Sequence, residues 1–427
     1  MSFSTWIPII MLLVTFALNI PVTYGMLAAG AYYLLYTGAD LGIVLSQTMG
    51  SLYTGYVLMA IPLFIFTANV MNSGSVTDAM FDFSKAVVGN RKGALGHVNI
   101  VISLIFSGMT GSAIADAAGI GKMEIEAMRK DGYDLPFSCA ITAASATIGP
   151  IFPPSIPFVI YAMLSGTSVG QLFLGGMVPG IMIAIVLGLY VSFISKKRNY
   201  PPGKRFGGRK FWATTLKALP ALFTPVILLV GIYTGVMTPT EAGAVAALYA
   251  LIISLLYYRT MGPKALLKTI WDTVIASGQI TILTGSAAVF SYIVARENIP
   301  AMVSGFFASI TNSPYVFLML INILFLILGM FLDTAVLQYV FLPMILPMAK
   351  ALGLDMVHFG VIVCLNMMIG LITPPFGFTL FVTSGISGTP FAQVAREILP
   401  MVIMLIALLL LLTYVPGIIT FLPQLLM

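Results

Sequence analysis

Residues 149–158 read GPIFPPSIPF. Four prolines and a glycine fall inside a run, Leu135 to Leu164, that carries no charge. A proline inside a helix removes a backbone hydrogen bond and clashes with the preceding turn, costing about 3 kcal/mol. In hydrocarbon each unpaired carbonyl or N–H costs several kcal/mol more. Such backbone survives at membrane depth only where it lines a polar cavity or coordinates something. The stretch therefore reads as an unwound membrane helix. One half-helix end offers carbonyls, which suit Na⁺, and the other offers N–H groups, which suit a carboxylate.

The rest of the chain supports a membrane setting. Of its 427 residues, 59% are hydrophobic and 8% charged, against about 25% charged in a soluble domain. The long uncharged stretches point to helices, not to the short alternating strands of an outer-membrane barrel. The N-terminal segment has no basic n-region, so no cleaved signal peptide is expected. Trp6 to Tyr36 reads as one long or two short membrane segments. Cys139 and Cys364 lie in apolar segments and read as buried, and they form no metal site with the isolated His97 and His358. The net charge of +6 resides in loops: Lys85, Arg91 and Lys92; Lys122, Arg129 and Lys130; eight of the 20 basic residues between Lys196 and Lys217; and Arg259, Lys264 and Lys268. By the positive-inside rule these loops are cytoplasmic.

The chain also repeats itself. At an offset of 221 residues, Gly108 falls on Gly329, Gly132 on Gly353, Asp134 on Asp355 and Gly149 on Gly370. Pro153 and Pro154 fall on Pro374 and Pro375, and Pro179 on Pro400. At an offset of 218, Pro21 and Gly25 fall on Pro239 and Gly243. Each half has an interrupted apolar stretch, around SGMTGSA (107–113) and LGMFLDTA (328–335), then a proline-broken segment and a final span. Those final spans are read as 171–194 and 402–422. Basic residues bracket the first interrupted stretch, and little positive charge flanks the second. The two therefore read as re-entrant hairpins entering from opposite faces, the mark of an inverted-topology transporter. The expected division is 1–92 scaffold, 93–195 first transport unit, 196–218 basic cytoplasmic linker, 219–312 scaffold, and 313–427 second transport unit with the last span. In GVMTPTEAGAVAALY (235–249), Thr238 or Thr240 is expected to cap a helix with Glu241 in its first turn.

Hairpin tips supply side-chain oxygens and broken helices supply carbonyls. One Na⁺ site is expected from Ser107, Thr110 and Ser112 with the carbonyls of Gly149, Phe152 and Pro154. A second is expected from Gly329 and Thr334 with the carbonyls of Gly370, Thr373 and Phe376. Asp116 and Asp333 are the clearest charges inside the membrane units, and such carboxylates are functional by default. Asp116 either faces a substrate or pairs with Lys122. Two aspartates also raise an intramembrane aspartyl protease, which needs two close carboxyls sharing a proton. That reading leaves the repeated proline breaks unexplained.

SGMTGSAIADAAGIGKMEIEAMRKDGYD (107–134), GPIFPPSIPFVIYA (149–162), GVMTPTEAGAVAA (235–247) and GLITPPFGFTLFV (370–382) carry a resemblance over essentially the whole length. The chain resembles the large membrane subunit of tripartite ATP-independent periplasmic (TRAP) transporters, most of all the sialic-acid type. The resemblance implies an all-α polytopic protein of the bacterial inner membrane with the ion transporter superfamily fold and an elevator domain. It implies Na⁺-coupled uptake with no other cofactor and no enzymatic activity. The implied partners are a separate small four-helix membrane subunit and a periplasmic substrate-binding protein. The expected substrate is an organic acid, N-acetylneuraminate, held near Ser112, Asp116, Ser155, Asp333 and Thr373. The alternative on the same fold is a dicarboxylate symporter that needs no binding protein.

Overall fold

The computed structural model describes residues 3–18, 20–72 and 74–427. The first half runs α1 (Phe3–Ala17), α2 (Val22–Thr37), α3 (Gly42–Thr54) and α4 (Ala60–Met71), then α5 (Gly74–Val88), α6 (Ala94–Thr110), α7 (Ala113–Lys130), α8 (Leu135–Ala146), α9 (Ile156–Ser165) and α10 (Val169–Lys197). The second runs α11 (Gly208–Tyr233), α12 (Pro239–Ile252), α13 (Pro263–Arg296), α14 (Ile299–Ile310) and α15 (Pro314–Gly329), then α16 (Thr334–Ala351), α17 (Met356–Gly370), α18 (Phe378–Ser387) and α19 (Phe391–Tyr414). A short α20 (Gly417–Leu426) closes the chain. Six helices are long and apolar enough to cross a membrane, or eight if each bent pair counts as one span, among the described residues. Among those residues the extended pairing is one isolated bridge, Lys92 with Pro202.

One order of elements thus occurs twice, with α3 and α4 together, bent by 67°, standing opposite the single helix α13. The hairpins are α6–α7 and α15–α16. The broken helices are α8–α9 and α17–α18. Trp6 to Tyr36 resolves into two helices, α1 and α2. Thr238 is the cap of α12: its hydroxyl accepts from the Glu241 N–H at 3.3 Å and the Glu241 carboxylate accepts from the Thr238 N–H at 2.7 Å. Both cysteines are buried and free.

One boundary differs from the sequence reading. The last span, read as 402–422, starts at Phe391 and stops at Tyr414, because Pro416 has no N–H to continue it and α20 begins afresh at Gly417. Within the segment expected as a basic cytoplasmic linker, 196–218, residues 198–207 lie between helices. Helix α10 runs on to Lys197 and α11 starts at Gly208, so Arg209, Lys210 and Lys217 ride on helical turns.

Helices α1 to α4 pack with α12 and α13, and α11 packs on α12. The hairpins, broken helices, α10, α19 and α20 form a second group whose halves interlock: α18 lies on α7, α19 on α8, and α10 on α17. The two arms α5 and α14 join the groups, α5 touching α11 and α6, α14 touching α13 and α16. The start of the 198–207 segment is clamped to the interlocked group. Arg198 donates to both Glu397 oxygens at 2.8 and 2.9 Å and to Asp134 Oδ2 at 3.1 Å, and the Tyr200 hydroxyl donates to the same Asp134 oxygen at 2.8 Å. Arg198 is 30% exposed at its side chain, so solvent screens these pairs. Arg198→Lys keeps the charge but loses the forked geometry. It is expected to lower the melting midpoint of the solubilised protein by a few degrees, the equivalent of about 1 kcal/mol. An unchanged midpoint would show the clamp to be energetically idle.

Candidate functional site

Each hairpin tip meets a proline break. Helix α6 ends at Gly111, whose φ is +61°, and Ser112 caps α7 by accepting from the Ala115 N–H at 3.4 Å. The Gly111 carbonyl accepts from the Ile156 N–H at 3.3 Å, so the tip is docked on the break by its own backbone. A Cβ at Gly111 would lie 2.7 Å from the Pro154 carbonyl oxygen, so only glycine fits. Across the same break, a Cβ at Gly149 would lie 2.5 Å from Asp116 Oδ2. Asp116 is 4% exposed. Its Oδ1 accepts from the Thr110 hydroxyl at 2.5 Å, and its Oδ2 has no hydrogen-bond partner.

The second unit repeats the plan with different chemistry. Asp333 caps α16, its Oδ1 accepting from the Ala335 N–H at 2.9 Å. Gly329 and Gly370 touch backbone to backbone: a Cβ at Gly370 would lie 2.6 Å from Gly329 Cα. The C-terminal ends of α15 and α17 therefore abut, and their aligned backbone dipoles make a negative pole, with the Gly370 carbonyl accepting from the Thr373 N–H at 3.0 Å. Both breaks contain a cis peptide bond, Pro153–Pro154 and Pro374–Pro375.

Between these parts lies a cavity of about 520 Å³. Its walls include both tips, both broken helices, and α4 and α13 from the other helical group. The first-turn residues of three helices face it: Ala113 of α7, Ile156 of α9 and Thr334 of α16. Each helix N-terminus carries unsatisfied N–H groups and about half a positive charge. Their convergence makes an anion-favouring wall. The Thr334 hydroxyl on that wall is buried and has no partner.

The expected site residues divide. Thr110, Ser112, Asp333 and Thr334 line the cavity. Asp116, Ser155 and Thr373, expected beside the solute, do not. Asp116 is turned to Thr110 and forms no ion pair with Lys122. Ser155 caps α9, accepting from the Phe158 N–H at 3.2 Å and donating to the Pro150 carbonyl, so its hydroxyl is used up in shaping the break. Thr373 donates to the Ile369 carbonyl at 2.6 Å. Ser107 donates to the Leu104 carbonyl at 2.5 Å. Phe152 packs on Gly180, and Phe376, 53% exposed, lies tilted against Phe331 and Phe381 outside the cavity. Asp116 and Asp333 share no hydrogen bond, so the paired carboxyls of an aspartyl protease are not assembled.

Other polar groups escaped the sequence reading. Asn69, Asp272 and Gln279 line the cavity from α4 and α13. Asp272 breaks an otherwise apolar span, which is the signal that marks it. Inside the first hairpin, Asn99 donates to Glu124 Oε2 at 2.8 Å and to the Thr142 hydroxyl at 2.7 Å, and Ser145 donates back to Asn99 Oδ1 at 2.6 Å. This buried network ties α6, α7 and α8 into one unit.

Duplicated hairpins whose tips meet two broken helices around a shared cavity define an inverted-repeat membrane transporter. Residues 9–418 match the model of the tripartite ATP-independent periplasmic transporter family, DctM component, and the chain belongs to that family. It is 40% identical over 408 residues to the sialic acid TRAP transporter large permease protein SiaM of Vibrio cholerae, covering 95% of each chain. It is 36% identical over 425 residues to the sialic acid TRAP transporter permease protein SiaT of Haemophilus influenzae, covering 100% of this chain and 69% of that one. It is also 36% identical over 377 residues to the C4-dicarboxylate large permease DctM of Pseudomonas aeruginosa, covering 86% of each. The fold is similar to that of the Alcanivorax borkumensis YdaH transporter, with a TM-score of 0.64 at 12% identity over 97% of this chain and 98% of that one. The protein is thus a TRAP large permease, a multi-pass protein of the inner membrane.

Proposed function

We propose that the chain carries an organic anion, N-acetylneuraminate, inward together with Na⁺. The observation that carries this reading is the convergence of three helix N-termini on one cavity. A solute carboxylate fits that wall. Cations fit the opposite poles. The unpaired Asp116 Oδ2 lies beside Gly149 in the break that follows α8, with Thr110 and Ser112 close in the chain. The abutting ends of α15 and α17 at Gly329 and Gly370 supply the second pole, with Asp333 and Thr334 at the same tip.

The interlocked group carries both hairpins and is the body expected to move as an elevator against α1–α4 and α11–α13, with α5 and α14 as its arms. The family implies a small membrane subunit beside the permease and a periplasmic protein that delivers the solute. Two Na⁺ per carboxylate would move one net positive charge inward, driven by about 2.3 kcal/mol per 100 mV.

The test is radiolabelled sialic-acid uptake into proteoliposomes holding the permease and its small subunit, with an imposed Na⁺ gradient. Uptake is expected to need both Na⁺ and the binding protein, and to rise when the interior is made negative. Uptake indifferent to Na⁺ and to potential would sink the coupling. Na⁺-driven uptake without the binding protein would point to a self-sufficient symporter.

A further inference from the structure

The anion-favouring wall of the cavity belongs to one helical group. The facing wall, from α4 and α13, has a different character. Along α13 the cavity is lined by Asp272, Ala276, Gln279, Ile280 and Leu283, positions that recur on one helical face. Asp272 and Gln279 stand two turns apart, about 10 Å along the axis. Both are exposed. Among the described residues neither side chain takes part in a hydrogen bond, and Asp272 is in none of the ion pairs. Lys268, one turn before Asp272 on the same helix, is likewise in none of them. On α4, Asn69 donates to the Thr273 hydroxyl at 3.1 Å, which fixes its amide beside this strip.

An unpaired carboxylate and an unpaired amide facing a cavity within a long membrane helix call for a ligand. A carboxylate accepts hydrogen bonds and donates none, so its partner must carry O–H or N–H groups. A second carboxylate placed there would meet a like charge instead. The cavity, about 520 Å³, lies within the usual 300–1,000 Å³ range for small-molecule sites and has room for more than a four-carbon chain.

We propose that Asp272, with Gln279 beside it, forms the second half of the solute site and restricts it to monocarboxylic acids with hydroxyl or amide donors at the far end. The acid end sits on the helix N-termini and the donor end on α13. Dicarboxylates are excluded by repulsion from Asp272, so the residue selects by penalising the wrong solute as well as by holding the right one. This inference rests on the organic-anion reading above and assigns its solute class.

Thermal stabilisation of the purified, assembled transporter separates the two. N-acetylneuraminate and succinate are titrated in saturating Na⁺ against the wild type and against Asp272→Asn, which keeps the shape and removes the charge. The wild type is expected to be stabilised by N-acetylneuraminate alone. In Asp272→Asn, N-acetylneuraminate is expected to weaken about tenfold and succinate to gain by at least the same factor, as removal of a like-charge contact predicts. Gln279→Ala, made in parallel, is expected to weaken N-acetylneuraminate without admitting succinate. Selectivity unchanged in Asp272→Asn, or a wild type that already binds succinate, overturns the role of Asp272 and leaves organic-anion transport standing. A wild type stabilised by neither acid overturns both.

Discussion

Gly370→Ala is expected to abolish uptake and to lower the melting midpoint of the solubilised protein by several degrees. The new methyl would sit 2.6 Å from Gly329 Cα and carbonyl carbon and 2.9 Å from the carbonyl oxygen. None of these is the movable end of a side chain. The hairpin tip must therefore back away from the broken helix. Overpacking of side chains costs about 1–3 kcal/mol, and a backbone obstacle lies at or above the top of that range. The displaced carbonyls are also those proposed to hold a cation, so transport should suffer more than stability. Gly385→Ala in the neighbouring half-helix is the control, because nothing lies within 4 Å of a Cβ there. If the two variants behaved alike, close backbone approach at the tip would not matter.

The second large effect is expected at Asp333, which has two separable jobs. Its Oδ1 caps α16, and its charge faces the cavity. Asparagine caps as well as aspartate does, whereas alanine loses about 1 kcal/mol at such a position. Asp333→Asn should therefore melt like the wild type yet lose at least a hundredfold in Na⁺-driven uptake. Asp333→Ala should lose both stability and uptake. Wild-type Na⁺ dependence in Asp333→Asn would reduce this carboxylate to a structural cap.

The repeat, the hairpins and the breaks were legible in the sequence because each is a local statement. Glycine and proline mark where a helix must stop, and the offset of 221 residues between Gly149 and Gly370 repeats those marks in order. Side-chain direction was less legible. Ser155 and Thr373 sit at the breaks but turn to backbone carbonyls, since an unwound segment must first satisfy its own polar groups. The contribution of α13 was invisible for another reason. Gln279 lies well over a hundred residues after Ser112 in the chain, and only tertiary packing brings them to one cavity. The end of the last span was missed although Pro416 and Gly417 announce it, because the apolar run continues across them.

The interlock of the two repeats also governs how the chain comes to be made. Helices α7 and α8 leave the ribosome long before α18 and α19, their eventual neighbours. At 5–20 residues per second the delay over one repeat is roughly 10–40 s. Through that interval the nascent first half has no mate for those faces, so lipid or the insertion machinery must shield them. Cys139 marks the moment of completion. Its thiol is fully covered in the finished protein, within 3.1 Å of the Ser387 hydroxyl at the end of α18. Its contacts with Ser387 and Thr389 form only when the second repeat is in place, so this corner of the first half is finished by the second.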